Sequence, residues 1–542
     1  MSLSAAHSPK LGMSGSFGSS HCLTQAEEAN LKLHRKTYSL PKDENSPLLP
    51  PSKKPPSPSS VKDIELGQDS PRQKKDARLS KSLLTTIVVV TIGSSLQFGY
   101  GTGVMNNSED IIMEYFQDQG KGYAVIQWST TVSCYGIGGL VGSLLGPKVI
   151  GAYCGRRATL LINNIFLVIS SLLIALAPQW WYQAIGRIFV GIVAGIATAV
   201  VPTYFSEISP IAIRGAVGTM HQLGITVGIL LSQALSTPSL NMLGSQDKWQ
   251  WLFAVPVFCG LLEVIVLPFC PESPSYLYTT QGKEAARQAL TQLQSEAVAD
   301  EYLGYIEEEI MGANSDNNGG IMSIRELFRD RKLRKQLIVG ITVQLMMQFS
   351  GIDAVFYYST SVFKQAGVSD PALATTSLGI VNVIVTIFAV KFMDSAGRKT
   401  LLTYSWCGMC ASFMTLTASF ILKENYNVDY MDQLSVMAMT GVIIFFAFGP
   451  GCVAWFIIAE IIPLYARDSA MALGIFINWV ANWLVAFSFP LLLHSTHPYT
   501  FLIFVASTGY FLYFTLRFVP ETKGLTVSQL AVEFDAMPMW TC

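Results

Sequence analysis

The chain has 542 residues, of which 50% are hydrophobic and 13% charged, whereas soluble domains carry about 25% charged residues. This composition excludes an ordinary soluble protein and favours a chain that buries most of its length in a membrane. The formal net charge of −1 provides no basic field that would indicate a nucleic-acid partner.

The first 82 residues contain no long apolar run and are rich in serine, proline and lysine. Because such a segment cannot bury enough apolar surface to fold, we predict a disordered cytoplasmic tail over residues 1–82. Within it, the stretch from Glu44 to Leu49 matches an acidic dileucine signal. One interpretation is that sorting adaptors bind this segment and that the protein cycles through endosomes. The alternative is a chance match, because so short a pattern arises often.

Twelve apolar stretches, each long enough to cross a bilayer core of about 30 Å, follow the tail. We predict membrane spans over residues 84–105, 129–150, 159–177, 181–205, 215–237, 250–270, 336–359, 375–393, 400–422, 436–460, 469–492 and 499–518. The loops after the even-numbered spans hold most of the lysine and arginine, so the positive-inside rule places both termini in the cytoplasm.

The expected fold is an all-α membrane protein of two six-helix bundles. Its predicted parts after the tail are an amino-terminal bundle over 83–274, a cytoplasmic helical linker over 275–335, a carboxy-terminal bundle over 336–520 and a cytoplasmic tail over 521–542.

Two segments about 250 residues apart repeat one spacing of acid, proline and base. The matching residues are Glu207, Pro210 and Arg214 after the fourth span, and Glu460, Pro463 and Arg467 after the tenth. Likewise, Gly155-Arg156-Arg157 after the second span corresponds to Gly397-Arg398-Lys399 after the eighth. Internal self-similarity of this kind predicts two related halves.

The repeated charged residues suggest a cytoplasmic latch, because carboxylate and guanidinium groups at a helix end are costly unless they are paired. Its members are Arg156, Arg157, Arg214 and Glu207 in one half, with Arg398, Arg467 and Glu460 in the other. Such a latch would join the two bundles while the protein is open outward and break when it opens inward. Topology anchoring is the simpler alternative, although it explains the arginines and not the repeated glutamates.

Six amide side chains lie within the predicted spans: Gln222, Gln344, Gln348, Asn382, Asn478 and Asn482. Amides both donate and accept hydrogen bonds, as a neutral solute rich in hydroxyl groups requires. Flat apolar surface for a sugar ring is available from Phe356, Phe446, Trp455 and Trp479. Together they suit a monosaccharide site near the midplane, and hydrogen bonding between helices is the alternative for each amide.

Three further features stand inside the spans. Asp353 is predicted to be the one unpaired acid deep in a span. It would act either as a proton carrier or as a hydrogen-bond acceptor for the substrate. His221 is predicted to be a structural hydrogen-bond partner. Gly449-Pro450-Gly451 is predicted to break the tenth span, so that its outer half bends over the site as a gate or simply kinks for packing.

The chain contains no phosphate-binding G-x-x-x-x-G-K-[ST] loop and no arrangement of nucleophile and base. We therefore expect neither ATP-driven pumping nor enzymatic activity, and we expect no cofactor and no bound metal.

Several motifs closely resemble those of the sugar porters of the major facilitator superfamily, and among them the facilitative glucose transporters of animals. The strings that carry the resemblance include Gln-Phe-Gly-Tyr-Gly-Thr-Gly-Val (97–104), Pro-Glu-Ser-Pro (271–274), Gln-Phe-Ser-Gly-Ile-Asp-Ala-Val-Phe-Tyr-Tyr-Ser-Thr (348–360) and Pro-Glu-Thr-Lys-Gly (520–524). The resemblance covers residues 83–535. It implies transport of a hexose, with glucose first, across the plasma membrane by alternating access.

The resemblance also implies a set of sugar contacts. They fall on Gln222, Ile225, Ile229, Gln348, Phe356, Asn382, Phe446, Trp455 and Asn478, and we add Asp353 to this set. Three positions depart from the family pattern, since Met347, Asp353 and Ala447 stand where glucose carriers have glutamine, asparagine and glutamate.

Gly101 bears on coupling, because proton-coupled porters that resemble this chain have an aspartate there. The resemblance therefore implies uniport, and Asp353 keeps proton symport as an alternative. Transport of another polyol or of urate, and a transporter-like sugar sensor, are the remaining alternatives.

Overall fold

The computed structural model describes residues 80–537, except for residues 122, 211–212, 295, 297, 305, 308–321, 394–395, 427, 524 and 526. The described residues belong to one compact unit and are helical, with no strand among them. The amino-terminal tail, for which disorder and a dileucine signal are predicted, lies outside the described residues.

Six long helices form the amino-terminal half. They are α1 (Lys81–Gly103), α2 (Val125–Leu145), α3 (Gly151–Ala175), α4 (Trp180–Ile208), α5 (Arg214–Ser236) and α6 (Trp249–Phe269). A short helix, Glu109–Asp118, follows α1 at the end of the bundle that the positive-inside rule predicts to face outward, which we call the outer end. Between the halves, the structure describes the short helices Pro274–Gln281, Lys283–Leu293 and Ile324–Arg329, and residues 298–304 are helical as well. They follow α6 at the end of the bundle that the positive-inside rule predicts to be cytoplasmic, which we call the cytoplasmic end.

Six further long helices form the carboxy-terminal half. They are α7 (Arg334–Gln365), α8 (Pro371–Met393), α9 (Arg398–Tyr426), α10 in two pieces (Met431–Phe448 and Pro450–Ile461), α11 (Leu464–Thr496) and α12 (Leu502–Phe518). A final helix, Val527–Ala536, returns along the cytoplasmic end.

Ten helices among the described residues are long and apolar enough to cross a membrane by length and composition. The two long helices outside that count are α2 and α5, which are diluted by glycine, hydroxyl and amide residues. Both lie at the interface between the halves, where α2 packs on α11 and α5 packs on α8. The predicted all-α fold of two six-helix halves is therefore confirmed, and the two central helices are less apolar because they face protein rather than lipid.

Gly139 shows why α2 is rich in small residues. A Cβ atom at this position would lie 2.2 Å from the ring of Trp479 on α11. Only glycine allows the two halves to approach so closely, and the resulting contact forms one wall of the region between them.

The outer surface of the bundle is suited to lipid. On α6, Phe258, Leu261, Ile265 and Phe269 are all more than half exposed. Such large exposed apolar side chains would be a liability in water and are expected where hydrocarbon surrounds the protein.

The helix α7 breaks in its middle, and this break positions the site. Residues Gln348–Ile352 form a wide turn in which Gly351 has a φ of 87°, a conformation that glycine adopts without steric cost. The Ser507 hydroxyl of α12 donates to the freed carbonyl of Phe349 at 2.9 Å. A broken helix is tolerated at membrane depth only when its freed backbone groups are paired in this way.

The predicted break in α10 is present at Gly449, whose φ and ψ are −123° and −93°. Trp455 lies on the piece that follows, Pro450–Ile461, which is nearer the cytoplasmic end. A hinge at Gly449 would therefore move the indole of Trp455 with the cytoplasmic piece.

Candidate substrate site and its two ends

A cavity of about 60 Å³ lies between the two halves, several times the roughly 10–15 Å³ that one water molecule needs. The structure brings together around it the full set of predicted substrate-site residues: Gln222, Ile225, Ile229, Gln348, Asp353, Phe356, Asn382, Phe446, Trp455 and Asn478. The amino-terminal half contributes Gln222, Ile225 and Ile229 from α5, and the other residues come from α7, α8, α10 and α11.

Some of the predicted amides join helices rather than face the cavity. Gln348 Nε2 donates to Asn478 Oδ1 at 2.8 Å, and Asn478 Nδ2 donates to Gln344 Oε1 at 3.0 Å. Gln344 in turn donates to the carbonyl of Ala454 at 2.8 Å and is not among the lining residues. Helix-to-helix bonding therefore accounts for Gln344, whereas Gln348 and Asn478 serve both purposes.

Four buried polar atoms of the lining residues have no hydrogen-bond partner among the described residues. Gln348 Oε1 can accept, and Asn382 Nδ2, Trp455 Nε1 and Trp479 Nε1 can donate. Leaving a buried polar atom without a partner costs about 1–3 kcal/mol. The arrangement therefore favours a ligand that presents several hydroxyl groups, since a hydroxyl both donates and accepts.

Aromatic rings complete the cavity wall. Phe356 and Phe446 meet edge to face with centroids 6.4 Å apart, and Phe98 of α1 packs on Trp479 at 5.8 Å. These contacts hold flat apolar faces against the cavity from both halves, next to the amides.

Asp353 has a definite partner at the cavity edge. Asn482 Nδ2 donates to its Oδ2 atom at 2.9 Å, and the Tyr357 hydroxyl lies 3.2 Å from the same amide. At the other two positions that depart from the family pattern, Met347 and Ala447 line the cavity with apolar atoms.

The reading of Asp353 as the one unpaired acid in a span is wrong, because α6 carries a buried carboxyl group as well. Glu263 is 0% exposed. It accepts from Ser94 Oγ at 2.7 Å and from Asn164 Nδ2 at 3.0 Å. Sequence reasoning overlooked it, and also Arg187 within α4, although a single charged residue inside an otherwise apolar stretch was the available signal.

His221 has the structural partner that was predicted for it. Its Nδ1 atom lies 2.8 Å from Ser95 Oγ, at a wide turn of α1 that spans Thr91–Ser95. The ring of His221 also stacks on Phe98, so this histidine ties α5 to α1.

The outer ends of the halves are joined by a set of uncharged hydrogen bonds, which we call the outer seal. Asn106 Nδ2, just after α1, donates to the carbonyl of Phe356 and to Ser359 Oγ, both at 2.8 Å. The next residue, Asn107, accepts from Thr360 Oγ1 at 2.6 Å and donates to Thr237 Oγ1 at 3.0 Å. Because Asn106 and Asn107 bind across the interface, the cavity is closed on its outer side.

A second group of contacts at the same end carries charge, and we include it in the outer seal. Glu109 accepts from the Ser361 hydroxyl, and Asp110 forms an ion pair with Lys364 at 2.8 Å. Burial raises the pKa of the Glu109 carboxyl from 4.5 to about 7; the hydrogen bond from Ser361 and the charge of Lys364 oppose this rise, and the charge of Asp110 adds to it.

The predicted latch residues pair within each half in this conformation. Arg156 binds Glu207 at 2.9 Å, and Arg398 binds Glu460 at 2.8 Å. No ion pair joins the halves at the cytoplasmic end among the residues that the structure describes.

The remaining latch residues bind differently. Arg157 donates to the carbonyl groups of Pro268 and Cys270 at 3.1 and 2.8 Å, and the Nε atom of Arg467 has no partner among the described residues. The side chain of Arg214 lies outside the described residues. A latch between the halves in an outward-open state stays a prediction.

Each Gly-Arg motif is also fixed by a glutamate of its own half. The backbone N–H groups of Arg156 and Arg157 donate to Glu272, and the N–H of Arg398 donates to Glu521 at 2.6 Å. The two halves thus repeat one cytoplasmic arrangement, as the sequence repeat predicts.

A family model described as "Sugar (and other) transporter" matches residues 86–534. The chain is 36% identical over 494 residues to mouse solute carrier family 2, facilitated glucose transporter member 4, which covers 88% of this chain and 94% of that protein. It is also 36% identical to human member 3 over 471 residues, covering 84% of this chain and 93% of that protein.

Two solved structures share the fold. The partially occluded inward-open xylose transporter XylE from E. coli superposes with a TM-score of 0.70 at 24% identity, over 82% of this chain and 100% of that one. The proton:xylose symporter XylE bound to 6-bromo-6-deoxy-D-glucose gives 0.69 at 26% identity, over 84% of this chain and 100% of that one.

Proposed function

The chain belongs to the sugar transporter family, and on that premise we propose that it moves a hexose across a membrane by alternating access, with glucose as the first candidate. The proposal includes the plasma membrane as its location and the cytoplasm as the side of both termini. One observation carries the assignment of the substrate, namely the cavity between the halves, whose lining residues include four buried amide and indole atoms without a partner among the described residues.

The chemistry of the lining favours a neutral, hydroxyl-rich solute. Among the lining residues, three buried donors and one buried acceptor have no partner in the described part of the chain, and each is of a kind that can bind a hydroxyl group. Phe356 and Trp455 supply apolar faces for the C–H groups of a pyranose ring. Because Asp353 is already bonded to Asn482, a ligand need not carry a positive charge to satisfy it.

Facilitative uniport is the proposed mode of transport. Gly101 of α1 offers no side chain that could hold a proton, and its carbonyl accepts from Arg187 Nη1 at 2.7 Å. The outer seal and the pairing within each cytoplasmic end fit an inward-facing state of a carrier that alternates between two conformations.

Proton symport is the second candidate, and one observation favours it. Asp353 places a buried carboxyl group in the wall of the cavity, where protonation and sugar binding could influence each other. The 26% identical structural neighbour is described as a proton symporter.

The cytoplasmic latch is proposed for the outward-open state. In that state Arg156 and Arg398 would exchange partners across the interface, since each already holds a carboxylate at its own helix end. Recognition of the residue 44–49 signal by sorting adaptors is a further proposal, and it concerns the tail outside the described residues.

Tracer uptake by the purified protein in liposomes tests the proposal. The panel contains glucose, other hexoses, a pentose, inositol and urate, each with and without a proton gradient. Glucose uptake that stops at equilibrium in both conditions supports uniport, whereas accumulation that depends on the gradient supports symport. If urate crosses and no sugar does, the hexose assignment is wrong.

A matched pair of variants ties the uptake to the cavity. Gln348→Leu removes the acceptor and the bond to Asn478 and is expected to lose most sugar flux. Gln117→Leu makes the same change at an exposed residue of the short outer helix and is expected to keep the flux. Equal flux in both variants would place the sugar elsewhere.

A further inference from the structure

Arg187 is a fully buried cation in the amino-terminal half, on α4. Its side chain is 0% exposed, and none of the ion pairs among the described residues includes it. Withdrawing a charge from water costs several kcal/mol unless another charge lies close by. A negative charge close to Arg187 would therefore stabilise the fold.

The guanidinium group has only partial compensation from the protein. Nη1 donates to the carbonyl of Gly101 at 2.7 Å, and the group lies 4.5 Å from the centre of the Tyr135 ring. Both contacts attract a cation without neutralising it. The Nε and Nη2 atoms have no partner among the described residues, so the fork that binds an anion is available.

The acid of α6, Glu263, does not pair with Arg187, because no ion pair among the described residues joins the two. Both carboxylate oxygens of Glu263 already accept hydrogen bonds, one from Ser94 and one from Asn164. Gln97 contacts the same asparagine, since its Nε2 atom donates to Asn164 Oδ1 at 3.5 Å, and its side chain lines the same cavity as Arg187.

A small cavity adjoins Arg187 between α1, α3, α4 and α6. Its volume is about 20 Å³, enough for one water-sized particle by the roughly 10–15 Å³ criterion. Ser170, Ser171 and Gln97 give it polar walls. The Ser170 hydroxyl donates to the carbonyl of Leu167 at 2.7 Å, whereas the Ser171 hydroxyl has no partner among the described residues and can donate into the cavity.

We propose that this cavity binds one small monovalent anion of the chloride class, held by Arg187 Nε and Nη2 and by the Ser171 hydroxyl. A water molecule would satisfy the hydrogen bonds and leave the charge uncompensated. Phosphate and sulfate are excluded by size, because each has five heavy atoms and the cavity admits one. Chloride meets both the charge and the volume.

The anion would act on transport through α1. The face of α1 that holds Gln97 and Gly101 lines the anion cavity, and Phe98 and Thr102 of the same helix line the substrate cavity. An anion that fixes Arg187 therefore also fixes one wall of the sugar site.

The test measures thermal unfolding of the purified full chain in sodium chloride and in sodium methanesulfonate at equal ionic strength, a readout that needs no sugar. We expect a saturable rise of Tm with chloride only. Ser171→Ala is expected to raise the half-saturating chloride concentration about fivefold, the equivalent of one hydrogen bond. Ser143→Ala is the control and is expected to leave this concentration unchanged, because among the described residues the Ser143 hydroxyl bonds only to the Leu140 carbonyl of its own helix.

A carboxylate introduced by substitution beside Arg187 gives an independent test, because it would take the place of the bound anion. Gly101→Asp combined with Val190→Ala, which removes the side chain 2.7 Å from the new Cβ atom, places a permanent negative charge beside Arg187. This variant is expected to unfold at the same temperature in both salts. Equal Tm values for the wild-type chain in the two salts, or a chloride effect that persists in the double variant, would overturn the proposal.

Discussion

Acidifying the outer medium is expected to hold the outer seal shut, and the effect originates at Glu109. Its carboxyl group is partly buried between the halves beside Ser361, with Asp110, Lys364 and the Tyr358 hydroxyl as the neighbouring charged or titratable groups. In the closed seal burial raises its pKa to about 7, against 4.5 in water. The closed state therefore binds more protons than an open one, and it loses stability as the pH rises through about 7.

The size of the effect follows from the two pKa values. Lowering the pH from 8 to 6 protonates the buried carboxyl, while an exposed one stays ionised. The closed seal then gains about tenfold in population, or ~1.4 kcal/mol. The Asp110–Lys364 pair adds little to this, since both side chains are 63% exposed and such surface pairs contribute about 0–1 kcal/mol.

Thiol labelling from outside measures the seal directly. A cysteine replaces Ile229, a buried residue of the cavity wall, in a chain without other reactive cysteines, and a membrane-impermeant reagent is added to right-side-out vesicles. For each chain, the labelling rate at pH 8 is divided by the rate at pH 6. This ratio is expected to be up to about tenfold larger in the cysteine variant than in the same variant with Glu109→Gln added. The control is Glu114→Gln, which changes an exposed acid of the same short helix and is expected to keep the full ratio of labelling rates. Equal ratios with and without Glu109→Gln would refute the assignment of the pH effect to Glu109.

Three further predictions concern the membrane interior. Gly351→Ala forces a Cβ atom to 2.7 Å from the Phe504 ring at a φ of 87° and should lower stability by about 1–3 kcal/mol; an unchanged Tm would contradict the assigned break in α7. Glu263→Ala leaves Ser94 and Asn164 without their acceptor and should lower Tm, whereas Glu263→Gln keeps one acceptor and should lower it less; the reverse order would be inconsistent with these bonds. Gln348→Ala should raise the KM for sugar about tenfold through the loss of one or two hydrogen bonds, as measured by zero-trans uptake, and an unchanged KM would remove Gln348 from the site.

The fold was predictable because apolar length and charge asymmetry are local properties of the chain. The repeated Glu207 and Glu460 motifs located the two halves, and in the structure each glutamate binds the corresponding arginine of its own half, Arg156 or Arg398. The hydropathy signal is weakest in α2 and α5, whose glycines and polar residues serve the interface between the halves.

The sequence predicted which residues line the candidate site, but not which hydrogen bonds their side chains form. Amides and aromatic residues are unusual inside apolar spans, so Gln348, Asn382 and Trp455 stood out. Whether an amide such as Gln344 faces the cavity or a neighbouring helix depends on helix rotation, which one sequence does not specify. Arg187 and Glu263 were missed because a single charge does not interrupt an apolar stretch, although each is costly to bury.

The left-handed residue at Gly351 and the bonds of Asn106 across the halves arise only in three dimensions. Their partners are far along the chain, since Phe504 follows Gly351 by a whole series of helices and Ser359 lies in the other half from Asn106. No periodicity in sequence reports such contacts.

Asn106 also begins the tripeptide Asn-Asn-Ser, the acceptor sequence for N-linked glycans. The nitrogen that a glycan would occupy is the atom that donates to Phe356 and Ser359 when the halves meet. A chain that received an oligosaccharide here during synthesis would be wedged open toward the outside and unable to complete its cycle. Modification at this asparagine would therefore act as a permanent brake on turnover rather than as an inert surface decoration.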